Sequence, residues 1–110
     1  MTVFRCTVCG YKHEGPDAPD FCPKCGAPKD KFAQLDDESA KKVVSAARTN
    51  SIHAELVAMA DRIVALAQEG IDINLDPPCV TLFHKAVEEA VHIRQRSKAE
   101  IEGHVGKGKW

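Results

Sequence analysis

The chain has 110 residues, with 15 basic and 16 acidic side chains and 44% hydrophobic residues. Near-neutral charge argues against a protein that binds nucleic acid or an anionic membrane by neutralising phosphates. No stretch approaches the ~20 apolar residues of a membrane span, and the length suits one ordinary domain or two very small ones.

Residues 1–33 are rich in Gly, Pro, Cys and Asp, which predicts turns and two or three short strands such as Val3–Arg5. The start of the chain lacks a basic leader and an apolar run, so the expected setting is the cytoplasm. Four of the five cysteines fall here as two Cys-x-x-Cys pairs, Cys6 with Cys9 and Cys22 with Cys25, separated by 12 residues. In a reducing compartment such pairs are metal ligands more often than disulfides. Each pair forms a tight knuckle, and Gly10 and Gly26 follow at positions suited to positive φ. Two facing knuckles give a tetrahedral S₄ site for zinc or a single iron. A segment this short cannot be held by apolar burial alone, which is a second reason to expect a metal.

The stretch FRCTVCGYKHEGPDAPDFCPKCGAPKDKF, residues 4–32, resembles the rubredoxin-like domain of rubrerythrins. The features that carry the resemblance are CxxCGY, the HEG turn, the AP before Phe21, CPxCG and the closing APKxxF. The resemblance implies one iron per chain, cycling between Fe2+ and Fe3+ on Cys6, Cys9, Cys22 and Cys25, with Tyr11 and Phe32 as shielding aromatics. It also implies transfer of single electrons. The gap between the pairs is the short rubrerythrin type. The order is reversed relative to the usual rubrerythrin, with the cysteine domain first and only half a four-helix bundle behind it.

Residues 34–38 read as a junction, with Asp36, Asp37 or Ser39 available to cap a helix. The expected domains are therefore 1–35 and 36–110. Residues 39–69 hold no Pro or Gly, and Ile52, Leu56, Met59, Ile63 and Leu66 recur at spacings of four and three, predicting an amphipathic helix. Gly70 is a natural stop. IDINLDPP reads as a loop, with Pro77-Pro78 excluding helix at its end. A second helix is expected from about Val80 to Glu102, followed by a fraying Gly-rich tail. The apolar residues of the second helix spread wider than one partner helix needs. The expected architecture is thus a small metal-bound domain plus a helical hairpin that dimerises into a four-helix bundle.

The hairpin raises a further possibility. Ferritin-like hairpins carry a Glu on one helix and Glu-x-x-His on the other; this chain has Glu55 and Glu89-x-x-His92. A symmetric dimer would supply two copies of each, a second iron pair. Against this, a surface salt-bridge stripe explains the same residues. His53, beside the same seam, is a weaker candidate ligand or proton donor. His84, Glu88 and His92 form one stripe that reads as a solvated face, and His13 reads as shaping its loop. Cys79, at a helix start, reads by default as a small buried residue; the alternative is a redox role with a lowered thiol pKa.

The leading functional expectation is a single-electron carrier in peroxide or oxygen defence, supplied by a flavoprotein reductase. One alternative is a rubrerythrin-like peroxidase with a di-iron site built across a homodimer. The other is a zinc ribbon in which the metal is structural.

Overall fold

The computed structural model describes residues 2–110, and the chain divides into two compact units at Ala46–Ala47. In the first unit, strands β1 (Val3–Cys6), β2 (Lys12–Glu14) and β3 (Phe32–Gln34) form an antiparallel sheet in the order β2-β1-β3. Phe4 lies opposite His13 on one side and Gln34 on the other, and Cys6 opposite Phe32. The core is small: Val3, Cys6, Ala18 and Cys22 are buried around the sheet, and Ala40, Val43 and Ala46 in the helical end of the unit, with Val3 and Cys6 fully so. A core of that size leaves most of the stabilisation to whatever joins the cysteines.

Helix α1 runs from Asp37 to Ile73 and α2 from Pro77 to Gly106, both longer than their sequence pattern predicts. Asp36 caps α1, its Oδ1 accepting from the Ser39 N–H at 2.8 Å. Asp76 caps α2 in the same way, accepting from the Cys79 N–H at 2.8 Å. Pro77 and Pro78 occupy the first two positions of α2 rather than barring it. The amides they lack are ones a first turn leaves unbonded anyway.

Gly70 does not stop α1. A Cβ there would meet the Phe83 ring at 2.5 Å, so the glycine permits the close approach of α2. The helix ends instead at Asn74, whose φ of +52° reverses the chain in a conformation that asparagine tolerates. The tail does not fray at Gly103 either. His104 Nδ1 is hydrogen-bonded to Asn50 Oδ1 at 2.5 Å, tying the last turns to α1, and Gly108 at φ +72° closes the helix.

The helices of the second unit pack antiparallel. Gly70 meets Phe83, Asp61 bonds Arg94 at 2.7 Å, His53 bonds Ser97 at 3.1 Å and Asn50 bonds His104. The buried or half-buried residues recur by fours and threes: Asn50, His53, Val57, Ala60, Val64, Ala67 and Ile71 face Phe83, Val87, Ala90, Arg94, Ser97, Ile101 and His104. This is a heptad seam, but most of its fully buried members are small or polar. The larger row Ile52, Leu56, Met59, Ile63 and Leu66, which the sequence marks as the amphipathic face, lies outside it at 36–56% exposure.

Candidate metal centre

Both knuckles are built alike. The Cys6 carbonyl accepts from the Gly10 N–H and the Cys22 carbonyl from the Gly26 N–H, at 2.9 and 2.8 Å. The Cys6 N–H donates to Tyr11 O and the Cys22 N–H to Ala27 O, both at 2.8 Å. Each turn closes through a glycine in the left-handed region, Gly10 at φ +83° and Gly26 at +76°. An alanine there would strain the turn that aims the sulfurs. Thr7 braces the first knuckle, its N–H and hydroxyl both donating to Lys31 O. The Asp17–Lys29 ion pair joins the segments on either side of the second. No sequence motif announces either brace.

The four sulfurs lie within 4.8 Å of one another, with Cys6 to Cys25 at 3.7 Å and Cys9 to Cys22 at 3.6 Å. These are not disulfides, whose sulfurs sit about 2.05 Å apart. A tetrahedral ion with metal–sulfur bonds of about 2.3 Å requires sulfur separations of about 3.8 Å. The cage therefore fits a four-coordinate ion with little movement.

Its electrostatics ask for a cation. The N–H groups of Cys9 and Val8, with the neighbouring thiols, outweigh burial and hold the Cys6 thiol below its ordinary 9.0. Burial raises the Cys22 thiol, but the N–H groups of Cys25 and Lys24 and the adjacent sulfurs bring it to about 6. At Cys25 the Ala27 N–H favours the thiolate, yet desolvation and the three neighbouring sulfurs push it up to about 12. Cys6 and Cys22 are thus eased toward the thiolate while Cys25 is held protonated, and a bound cation would displace that proton.

Exposure divides the ligands. Cys6 and Cys22, the first of each pair, are buried; Cys9 is half-buried and Cys25 exposed. One edge of the cage therefore opens to solvent, and the neighbouring residues Val8, before Cys9, and Phe21, before Cys22, have exposed side chains. Tyr11 and Phe32 are half-buried.

The remaining candidates are elsewhere. Among the described residues, the cysteine quartet is the sole group of three or more metal-ligating side chains that converges. Glu55, Glu89 and His92 are all exposed. By 100° per residue, Glu55 lies on the side of α1 roughly opposite the seam, and His92 on the corresponding side of α2. His53 is inside the seam, bonded to Ser97 and edge-on to His104 with ring centroids 6.3 Å apart. His84 and Glu88 are exposed, and His13 sits in β2, paired with Phe4. Cys79 departs from expectation. Asp76, whose carboxylate caps the same turn, pushes the thiol up, with burial adding to the effect. At this helix start the capping carboxylate outweighs the lowering that a helix N-terminus gives a thiol.

A model of the rubrerythrin rubredoxin-like domain matches residues 4–33. Reverse rubrerythrin-1 of Clostridium acetobutylicum is 58% identical over 38 residues, covering 34% of this chain and 21% of that protein. A rubrerythrin of Nitratidesulfovibrio vulgaris is 53% identical over 34 residues, 31% of this chain and 18% of its own length. The chain thus spans about a fifth of the length of these two relatives. A rubredoxin of Peptoniphilus asaccharolyticus is 38% identical over 53 residues, which cover 34% of this chain and all of the relative. No solved structure matches the chain.

Proposed function

We propose, from the premise that this chain belongs to the rubredoxin family through its N-terminal domain, that it transfers single electrons at one iron held by Cys6, Cys9, Cys22 and Cys25. The observation that carries the reading is the cage, with sulfurs at tetrahedral spacing and one edge at the surface. Bound iron supplies a one-electron couple between its ferrous and ferric states. The chain supplies the rest. The doubled knuckle hydrogen bonds fix the sulfurs, so their geometry changes little between the two charges. N–H groups aimed at Cys6 and Cys22 offset negative charge on the buried side. Cys25 and Cys9 bring the other side to the surface, and the exposed Val8 and Phe21 offer a small apolar rim suited to brief docking of a redox partner.

The setting follows from the relatives. Similarity to a reverse rubrerythrin and a rubrerythrin supports a place in peroxide or oxygen defence in the cytoplasm. A flavoprotein reductase would be the donor. The acceptor would be another protein, because Glu55 and His92 are exposed on the sides of their helices roughly opposite the seam, away from a bundle core.

The test is elemental analysis with a visible spectrum on protein purified anaerobically from its native cells. The expected result is about one iron per chain and thiolate-to-iron charge-transfer bands that bleach on reduction. Stoichiometric zinc and a colourless protein would overturn the reading in favour of a structural clip. About two irons per chain, the additional ones lost in Glu55→Ala and His92→Ala, would instead support the di-iron peroxidase.

A further inference from the structure

The exposed row on α1 has a counterpart on α2. Relative to the seam, the row Ile52, Leu56, Met59, Ile63 and Leu66 lies about 110° back around α1, and Leu82, Ala86 and Ile93 lie about 70° back around α2. Rotations of the same sign on antiparallel helices turn both rows to the same side. The hairpin therefore carries one apolar face, interrupted on α2 by Glu100 at the end level with Ile52, on which Met59 is 56%, Leu66 49% and Leu82 68% exposed.

The charges at its rim say what covers it. Along the outer edge of the α1 row run Arg48, Glu55, Arg62 and Glu69, seven residues apart and alternating in sign. At the outer edge of the α2 row stand Glu89 and Arg96, again seven apart and opposite in sign. None of the six belongs to an ion pair among the described residues. Such rows are complementary to themselves when run antiparallel. Arg48 then faces the partner's Glu69, Glu55 the partner's Arg62, and Glu89 the partner's Arg96. The same placement sets Ile52 against the partner's Leu66, Leu56 against the partner's Ile63, and Met59 and Ile93 each against its own copy. The apolar and charged rows thus ask for one register. The Asp61–Arg94 bond shows that Met59 and Ile93 lie within about a turn of one level, so a single axis serves both helices.

We infer that this face binds a second copy of the same chain. The twofold axis crosses the helices at Met59 and Ile93, α1 lies antiparallel on the partner's α1, and the product is a four-helix bundle with ion pairs along its rims. The pairing of α1 with itself is favoured over α1 on the partner's α2, because only α1 carries five large apolar residues to match. The inference stands whichever ion the cysteines hold.

Charge exchange tests it on the full chain by sedimentation equilibrium. The unaltered protein is expected to be a dimer at about 100 μM and below. Glu55→Arg alone, and Arg62→Glu alone, should each weaken association about tenfold or more, since symmetry repeats each clash. The double variant E55R/R62E should return to within about threefold of the original. All are surface changes, and unchanged circular dichroism would show that the hairpin still folds. Leu56→Asp should leave a monomer. A monomeric parent protein, or a double variant no tighter than the single ones, overturns the proposal. The second outcome is also the one expected if α1 packs on the partner's α2, where the exchange would set like charges against the partner's Arg96 and Glu89.

Discussion

Gly70 shows how one hydrogen in place of a methyl sets a helix contact. The Phe83 ring occupies the space a Cβ would take, at 2.5 Å. Gly70→Ala would improve helix propensity by up to about 1 kcal/mol in an exposed helix, but here the ring must move. We expect a net loss of about 1–3 kcal/mol in chemical denaturation, relieved by Phe83→Leu in the same chain. Asp36 makes a second prediction at this scale. Its carboxyl lies below the ordinary 3.8, first because it accepts the Ser39 N–H and then through the Ser39 side chain. A depressed value means the cap contributes fully above pH 3.8 and is lost as pH falls through the lower folded value. Carbon-detected NMR titration should place the Asp36 midpoint below 3.8, and Ser39→Pro, which removes the donor, should move it upward.

At the scale of the elements, the knuckles were legible in the sequence because cysteine spacing and the glycine after each pair admit few other geometries. The two helices were legible as helices, but their ends were not. Gly70, Pro77-Pro78 and the terminal glycines are local stop signals, and each is overruled by something distant or positional: Phe83 for the first, the unbonded first turn for the second, the Asn50–His104 bond for the third. The hairpin face differs from the sequence pattern for a related reason. Periodicity finds the row of largest side chains, while the helices chose the neighbouring row of Ala60, Ala67, Ala90 and Ser97, where backbones approach closely. The cap on α2 gives a measurable consequence. Asp76→Ala removes the Cys79 acceptor and should lower hairpin stability by about 1 kcal/mol in denaturant titrations. It should also let the Cys79 thiol ionise at lower pH, followed by its rate of alkylation, because the carboxylate that raises it is gone.

For the whole molecule, the two units draw on different sources of stability. The first packs around cysteines gathered for an ion; the second is held by a helical seam. Chelation should therefore act on one and spare the other. After treatment with a strong chelator under reducing conditions, we expect loss of amide protection in β1–β3 while helical circular dichroism persists, and recovery on adding metal back. Uniform loss of both signals would show that the units fold as one. The sequence reveals this division only in outline. Composition changes near residue 35, whereas the compact units part at Ala46–Ala47, within a continuous helix whose backbone gives no sign of a border.

The narrow seam has a consequence for behaviour in dilute solution. A pair of helices joined through alanines removes little oily surface from water, and the bulkier groups on α1 still wait for cover. By mass action, a chain completed by its twin should melt at a temperature that climbs with its own abundance. Sparse copies would then be the ones most readily opened to proteases, so that the amount made helps decide how long each molecule lasts.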